Sequence, residues 1–392
     1  MNAELQALIW QARRSPAGDT KIDLLEQAVA LADQLGDLED AFDVRDDLTE
    51  AANEWGRPEK ELVAFTWMLA RYDRDPQTFA SWDHKLMWVY KRVLGTLVSF
   101  PSISLTRIGQ AFADFKARLE RSNRSQSTHD EFALRNALQI GDAAQVEALY
   151  AQFKRHTRAA LLDCRACQLH LEVRYRVFKG DDLGAVAAAA PLLKRGAPAC
   201  NRVPHSTRAL ILEPLLRLGR LQDAAVHHLD YKRVAGDEGF LNVIGSHLAY
   251  LGYVNDLPNA LKLFEKHLAW AFKTNDLADR YSFLSDTLPL LTRLQPAQRT
   301  VKLRLGREFP GFEDSGEYDT ASLETLIRTE LARVAALFDE RNGNDFHTRK
   351  ISVDMGLLQT ISAPAELPAP ASDQQTTKKK QSQSKAAVKL TP

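Results

Sequence analysis

A regular spacing of turn residues constrains this 392-residue chain more than any other feature of its sequence. Gly141, Gly180 and Gly219 each end an apolar-patterned stretch and precede another, and they follow one another at intervals of 39 residues. Asn255, which also tolerates left-handed backbone, follows 36 residues later, and Gly36 stands in the same setting near the N-terminus. A fixed period of this length is typical of stacked helical hairpins, with a left-handed turn ending each first helix.

Hydrophobic residues recur with the period of an α-helix along most of the chain. Steps of three and four produce one apolar stripe from Leu24, Leu25, Ala28, Leu31 and Leu35. No convincing run of alternating polar and β-branched residues interrupts the pattern. Hydrophobic residues make up 45% of the chain, which is enough for a large core. The sequence therefore predicts an all-α fold.

A second regularity follows each predicted turn. Five positions after the turn there is a small residue, in order Ala41, Val146, Ala185, Ala224 and Ala260. This pattern resembles the tetratricopeptide-repeat family, in which the small side chain lies where the two helices of a hairpin touch. The resemblance covers about residues 128–272 and departs from the family at Arg176, His228 and His267. It implies an α-solenoid, a superhelix of antiparallel hairpins whose first helices line a concave face.

Four regions follow from these patterns and from changes in composition. Residues 1–121 are predicted to form acidic helical hairpins, and residues 128–295 the tetratricopeptide-like repeats, basic in their first half. The polar stretch 122–128 between them is a candidate hinge. Residues 296–361 are predicted to be a loop and a capping helix. Residues 362–392 are rich in Pro, Ala, Ser, Gln and Lys, which predicts a disordered, lysine-rich tail.

The resemblance also selects the residues that a partner would meet. On its register, the concave groove is faced by Arg135, His170, Arg174, Asn242 and Tyr253. Arginine suits bidentate capture of a carboxylate or phosphate, and a tyrosine ring offers a stacking face. We therefore expect a non-catalytic interaction scaffold that binds a partner protein or peptide in this groove.

Equal numbers of basic and acidic residues, 51 of each, hide a strong segregation of charge. Residues 1–83 contain 18 acidic and 8 basic residues, whereas residues 150–235 contain 7 acidic and 15 basic residues. Three interpretations stay open: oppositely charged solvated faces, a head-to-tail homodimer, or a basic groove for an acidic peptide or a nucleic-acid backbone. Binding of single-stranded RNA or DNA through the 150–235 segment is one alternative function, and a ligand- or peptide-sensing regulatory role is another.

The three cysteines are too few for a disulfide framework. Together with the absence of a secretory leader at residues 1–10 and of a bilayer-length apolar stretch, they predict a cytoplasmic protein without membrane contact. Cys164, Cys167 and His170 follow one another at steps of three on one predicted helix, but zinc sites of this type usually need a second cysteine pair. We expect these residues to be small buried groups at a helix contact, and we expect neither a metal nor a cofactor.

Other chemically notable residues favour packing over catalysis. Trp67, Trp82 and Trp88 lie close together at helical spacing, which favours the core of the N-terminal hairpins over an exposed aromatic pocket. His227 and His228 are adjacent, so they point to different faces of a helix and cannot chelate one ion. The sequence lacks a phosphate-binding glycine loop, a nucleophile elbow, an HExxH motif and a dinucleotide fingerprint. We therefore do not expect an enzyme.

Overall fold

The computed structural model describes residues 2–155 and 159–361 of the chain. Across these residues the fold is built from α-helices with one short pair of β-strands, which confirms the predicted all-α class. The predicted tail at 362–392 lies outside the described residues. None of the helices described combines the length and the apolar character needed to cross a bilayer.

The N-terminal unit consists of helices that pack mainly on their neighbours in the chain. They are α1 (Ala3–Arg14), α2 (Asp19–Leu35), α3 (Leu38–Glu54), α4 (Pro58–Arg74), α5 (Asp83–Thr96) and α6 (Leu105–Arg121). Pro58 occupies the first position of α4, where a missing N–H needs no partner. The stretch 122–128 that follows is anchored by an ion pair between Arg124 and Asp83.

Four helical hairpins follow in the described part of residues 127–273. The first is α7 (Ser127–Ile140) with α8 (Ala143–Phe153), and the second is α9 (Arg165–Phe178) with α10 (Asp182–Leu193). The third joins the split helix α11 (His205–Leu210) and α12 (Leu212–Arg217) to α13 (Leu221–His228). After α14 (Tyr231–Val234), the fourth is α15 (Leu241–Tyr253) with α16 (Leu257–Lys273). Because the first helices pack side by side, the hairpins stack as an α-solenoid.

Both sequence regularities have a direct structural cause. The predicted turn residues all adopt left-handed backbone, with φ of +71° at Gly36, +83° at Gly141, +68° at Gly180, +69° at Gly219 and +62° at Asn255. The small residues five positions later are at most 2% exposed, so adjacent helices approach closely there. In four of the five turns, an aspartate comes next and caps the following helix. Asp142, for example, accepts a hydrogen bond from the Gln145 amide at 3.0 Å.

A C-terminal unit completes the array. Helix α17 (Leu277–Ala297) packs along α15 and is followed by the antiparallel strands β1 (Thr300–Lys302) and β2 (Glu317–Asp319). Helices α18 (Thr320–Asn342) and α19 (Phe346–Thr360) come last. The strands were not expected, because three residues are too few to show an alternating pattern. Val301 and Tyr318 pair across them, and both are buried.

The hydrophobic core runs along the array as separate clusters. The largest joins the third and fourth hairpins to α17 and α18, and its fully buried side chains include Tyr250, Phe264 and Phe283. Two others fill the N-terminal unit. Each large side chain buried in this way contributes about 1.5–3 kcal/mol to the free energy of folding. The clusters hold each hairpin to the next, so the relative positions of the first helices are fixed.

Helix α19 folds back over the first helices of the repeats. Phe346 packs against Gly141 and against Phe178, with the two phenyl centroids 6.0 Å apart. The Tyr253 hydroxyl donates to the carbonyl oxygen of Asp354 at 3.1 Å, and the Tyr281 hydroxyl donates to that of His347 at 2.8 Å. Helix α19 thus covers the part of the concave face that α15 and α17 would otherwise expose.

The N-terminal unit closes the remaining side of the concave face. Arg57, in the turn between α3 and α4, donates to the Glu238 carboxylate at 2.7 Å, and Lys273 reaches Asp19 at 2.7 Å. Gly239 approaches the backbone of Glu54 so closely that a Cβ there would lie 1.9 Å from the Glu54 carbonyl oxygen. The solenoid therefore curves until its N-terminal unit touches its fourth hairpin, and the concave face becomes an interior.

Candidate functional site

A partly open cavity of about 410 Å³, here called the central cavity, lies between the N-terminal unit, the repeats and α17. Its wall comes from α5, α7, α9, the turn between α3 and α4, and the N-terminus of α17. This volume suits a small molecule or the end of a peptide. A larger cavity of about 610 Å³ lies between α6, α7 and α8, but its lining is mainly apolar, with Leu105, Ile108 and Phe112 among its residues. The charged chemistry of the interior is therefore found in the smaller, central cavity.

Three of the five residues predicted to face the concave groove line the central cavity. Arg135 projects from α7, and His170 and Arg174 lie one turn apart on α9. The close packing of α7 on α9 brings the three side chains together although 39 residues separate Arg135 from Arg174.

Arg135 forms ion pairs with two carboxylates of the same wall. Its guanidinium donates to Glu131 at 2.6 Å and to Asp163 at 2.7 Å. Glu131 is completely buried, and this burial raises the pKa of its carboxyl although Arg135 opposes the shift. For Asp163 burial also acts upward, but Arg135 and Lys91 outweigh it and lower the pKa. The network keeps Arg135 in one orientation.

Arg174 differs because none of the residues described gives it a hydrogen bond or an ion pair. It is half-buried at the cavity wall. Burial, and then the neighbouring charge of Arg135, lower the pKa of its guanidinium to about 10, so the group stays protonated at neutral pH. The result is a half-buried cation at the cavity wall that has no counter-ion among the described residues.

His170 is a neutral neighbour of these arginines. Burial, followed by the charges of Arg174, Arg135 and Arg202, lowers the pKa of its imidazole to about 3. Its Nδ1 shares a hydrogen bond with the Thr207 hydroxyl at 2.9 Å. The ring therefore contributes a polar, uncharged surface to the cavity.

The opposite wall carries two aspartates at the N-terminus of α17. Asp276 caps that helix by accepting from the amides of Ala278 at 2.9 Å and Asp279 at 3.0 Å. Burial, and then the charge of Asp276, raise the pKa of the Asp279 carboxyl to about 8. Asp279 is therefore mostly protonated at neutral pH and can donate a hydrogen bond into the cavity. Arg174 lines the same cavity, so a protonated Asp279 and this guanidinium together favour an anion there.

Lys91 on α5 is a cavity residue that sequence reasoning missed. It is 1% exposed, and its Nζ donates to the Leu161 carbonyl oxygen at 2.7 Å and to Asp163 at 2.8 Å. The ammonium also lies 3.2 Å from the ring centroid of Trp88. In the sequence, Lys91 stands inside the largely apolar run 86–98. A lysine in such a run indicates a buried polar contact, but it does not by itself indicate a binding site.

The other two predicted groove residues lie elsewhere. Asn242 is half-buried on the first turn of α15, and its side-chain oxygen accepts from the Val243 amide at 2.8 Å. Tyr253 is 1% exposed because α19 covers it. The expectation that its ring offers a stacking face is therefore wrong. The repeat register placed Tyr253 on the concave side, but it could not show that a later helix fills that side.

The cysteine cluster has a different third member from the one considered in the sequence. Cys200, not His170, joins Cys164 and Cys167, and the three sulfur atoms lie within 4.8 Å of one another. His170 points to Thr207 instead. Cys164 is exposed and the other two are half-buried, so the prediction of three small buried residues is wrong for Cys164.

The aromatic and histidine groups take part in packing. Trp67 and Trp82 both contact Phe42, at centroid distances of 5.6 and 5.3 Å, as half-buried members of the N-terminal core. Trp88 faces the central cavity. His227 and His228 have different partners, as their adjacency predicted: His227 meets Arg208, whereas His228 stacks on Tyr250.

Much of the basic charge of residues 150–235 is neutralised locally in the described part of this segment. Four cations that would face solvent have acidic partners within the chain, namely Arg176 with Glu172, Lys179 with Glu147, Arg217 with Asp182, and Arg220 with Asp223. Alternating charges of this kind weaken the attraction of a surface for a phosphate backbone.

Fold and cavity together define an all-α solenoid protein with a partly open, charge-lined cavity between its N-terminal unit and its repeats. A scan of family models, a search of curated proteins and a search of solved structures each found no match to this chain. The resemblance to tetratricopeptide repeats thus rests on the turn and small-residue patterns alone.

Proposed function

We propose that this chain is a non-catalytic helical-repeat protein that binds an acidic segment of a partner protein in its central cavity. The observation that carries the proposal is Arg174, a protonated guanidinium that has no partner among the described residues and lines the central cavity. Arg174 is half-buried, and an incoming carboxylate would give its guanidinium a counter-charge in a partly desolvated setting. Arginine holds a carboxylate through two parallel hydrogen bonds, which gives both strength and orientation.

The surroundings of Arg174 support a carboxylate as the group that binds. Protonated Asp279 and the polar edge of His170 line the same cavity and add neutral hydrogen-bonding groups. Arg135 is already paired with Glu131 and Asp163, so its guanidinium does not depend on the ligand for a counter-charge. The ligand would therefore be selected mainly at Arg174.

The size of the cavity limits how much of a partner can enter. About 410 Å³ accommodates a side chain or a chain end, but not a helix. Helix α19 and the N-terminal unit cover the rest of the concave face, so a long peptide laid along the first helices is not supported. We therefore favour an acidic chain end or a single acidic side chain as the inserted group.

Peptide binding to the full-length chain tests the proposal. Fluorescence anisotropy would compare a mixed-sequence acidic peptide pool with the same pool in which the carboxyl groups are amidated. We expect binding of the acidic pool only, and at least a tenfold loss of affinity in Arg174→Gln, equal to about 1.4 kcal/mol. Arg304→Gln is the matched control, because Arg304 is 95% exposed and paired with Glu265 on the surface.

The alternative of nucleic-acid binding is separated by a second arm of the same experiment. A labelled single-stranded oligonucleotide of mixed sequence is titrated at low and at high salt. Binding that survives Arg174→Gln and falls steeply with salt would favour the nucleic-acid function over the peptide function. Equal binding of acidic and amidated peptides would contradict our proposal.

A further inference from the structure

Three cysteines from two segments of the chain meet beside the central cavity. The sulfur atoms of Cys164, Cys167 and Cys200 all lie within 4.8 Å of one another, and those of Cys167 and Cys200 are 3.6 Å apart. The chain has three cysteines in all. Two segments 33 residues apart thus bring every thiol of the protein to one point.

We propose that this cluster is a zinc site with three cysteine ligands and an open fourth position. Zinc binds thiolate sulfur at about 2.3 Å, so two sulfur atoms in a tetrahedral arrangement lie about 3.8 Å apart. The 3.6 Å between Cys167 and Cys200 matches this edge of the tetrahedron. Three protein ligands with one open position are typical of zinc centres that hold water or an exchangeable ligand.

The local backbone is arranged to hold the three sulfur atoms. Cys164 is the N-cap residue of α9 and Cys167 lies three positions later, so both side chains leave the same end of one helix. Cys200 stands in a loop that is fixed by a hydrogen bond from its amide to the Val203 carbonyl oxygen at 2.9 Å. Val203 is 1% exposed and belongs to a small apolar cluster on which Cys167 and Cys200 pack. Such support fixes ligand positions before the metal arrives.

The neighbouring polar side chains do not join the group of ligand atoms that lies within 4.8 Å, which consists of the three thiols. Asp163, next to Cys164, is held by Lys91 and Arg135. His170, one turn after Cys167, is bonded to Thr207. Three thiolates around Zn²⁺ leave one negative charge, and the guanidinium of Arg135 lines the same cavity as Cys167. The positive side of the cavity therefore compensates the charge of the proposed centre.

Thiolate is a soft ligand that selects zinc over magnesium or calcium. Cobalt(II) serves as the spectroscopic probe for such a site. The full-length chain, reduced and freed of metal by a chelator, is titrated with Co²⁺ without oxygen. We expect one equivalent of Co²⁺ to produce sulfur-to-cobalt charge-transfer absorption and the intense visible bands of a tetrahedral centre. Zn²⁺ should then abolish these bands by displacement. Since every cysteine belongs to the cluster, the charge-transfer band has no other source.

Variants identify the ligands. Cys164→Ser, Cys167→Ser and Cys200→Ser should each weaken Co²⁺ binding at least tenfold, whereas His170→Gln should leave the spectrum unchanged. An unchanged spectrum in any cysteine variant, or a loss in His170→Gln, would overturn the three-cysteine assignment.

A measurement on the unaltered chain keeps the test valid if the variants fold poorly. Zn²⁺ should protect all three thiols from alkylation, as counted by mass spectrometry. Thiols that react equally with and without Zn²⁺, or a reduced chain that forms a Cys167–Cys200 disulfide in air and binds no Co²⁺, would refute the metal site. Neither readout depends on peptide binding, so this proposal and the proposed function can fail independently.

Discussion

Two guanidinium groups share the central cavity and differ in their surroundings. Arg135 is held by Glu131 and Asp163 at 2.6 and 2.7 Å, whereas Arg174 lacks a partner among the residues described. Removing one member of a buried ion pair costs about 3–5 kcal/mol, because the remaining charge is left unpaired. Removing Arg174, which has no partner among the described residues, would leave no unpaired charge in the cavity.

The two arginines should therefore respond oppositely to the same substitution. We expect Arg135→Met to lower the free energy of unfolding by about 3–5 kcal/mol. Arg174→Met should leave this free energy unchanged or raise it by about 1 kcal/mol. Urea denaturation of the two variants measures both effects, and a similar loss of stability in both would show that Arg174 has a structural role.

Asp279 should make stability depend on pH. In the folded chain its carboxyl pKa is about 8, raised by burial and then by Asp276, whereas in the unfolded chain it returns to its ordinary value near 4. Between these values the folded chain holds a proton that the unfolded chain releases, so the free energy of unfolding falls as pH rises from about 4 to 8.

Replacing this carboxyl by a neutral amide should remove most of that dependence. We expect Asp279→Asn to be about 1–3 kcal/mol more stable than the natural chain at pH 9 and similar to it at pH 5. Urea denaturation at the two pH values checks this, with Asp314→Asn, at a side chain that is 84% exposed, as the control. A variant with the same pH dependence as the natural chain would contradict the prediction.

At the scale of helices and turns, two hairpins share one turn geometry in different surroundings. Gly141 and Gly180 have φ of +83° and +68°. A Cβ at Gly180 would meet no atom within 4 Å, whereas at Gly141 it would lie 2.2 Å from Cγ of Phe346 on α19. The turn between α7 and α8 is therefore also the surface on which α19 packs.

Alanine at the two positions should separate backbone strain from this contact. Gly180→Ala should cost about 1 kcal/mol for the left-handed backbone alone. Gly141→Ala should cost about 2–4 kcal/mol, since Phe346 must also move. Hydrogen exchange should increase along α19 in Gly141→Ala only. Equal losses of stability in the two variants, with hydrogen exchange along α19 unchanged in both, would mean that the Phe346 contact does not contribute to stability.

These elements also show what a sequence can predict. The turn glycines and the small residues after them were predictable, because left-handed backbone and close helix approach each demand a particular residue type at one position. The grouping of Arg135, His170 and Arg174 followed from the period. The position of Cys200 beside Cys167, and the burial of Tyr253 beneath α19, were not predictable, since both depend on how segments distant in the chain pack.

At the scale of the whole molecule, a small set of ion pairs joins the N-terminal unit to the fourth hairpin. Asp19 and Arg57 of the N-terminal unit form ion pairs with Lys273 and Glu238 beyond the third hairpin, and these contacts close the array. Lys273 and Glu238 lie outside the basic segment 150–235, so these contacts do not test the head-to-tail attraction considered from the sequence. Association of two copies through the same segments stays a prediction.

Breaking the ion pairs of Arg57 should destabilise both segments that meet at this contact. Arg57 is 8% exposed and bonded to Glu238 and Asp19, so we expect Arg57→Ala to lower the free energy of unfolding by about 2–3 kcal/mol. Hydrogen exchange should rise near residues 54–58 and 236–241 together. Arg307→Ala is the control, because its ion pair with Asp314 is more than 80% exposed on both sides and should contribute less than about 1 kcal/mol. Faster exchange on one side only would argue against a shared closure.

The contact between Gly239 and the Glu54 carbonyl also bears on how this protein can evolve. Open repeat arrays gain or lose a hairpin with little harm, because each unit touches only its neighbours. Here an additional hairpin between α6 and α15 would carry Gly239 away from Glu54 and separate Arg57 from Glu238. Duplication or loss of a repeat would therefore destroy the interior cavity in one step. Relatives that keep the cavity should have the same number of hairpins, and they should tolerate insertions mainly in surface loops such as residues 306–316.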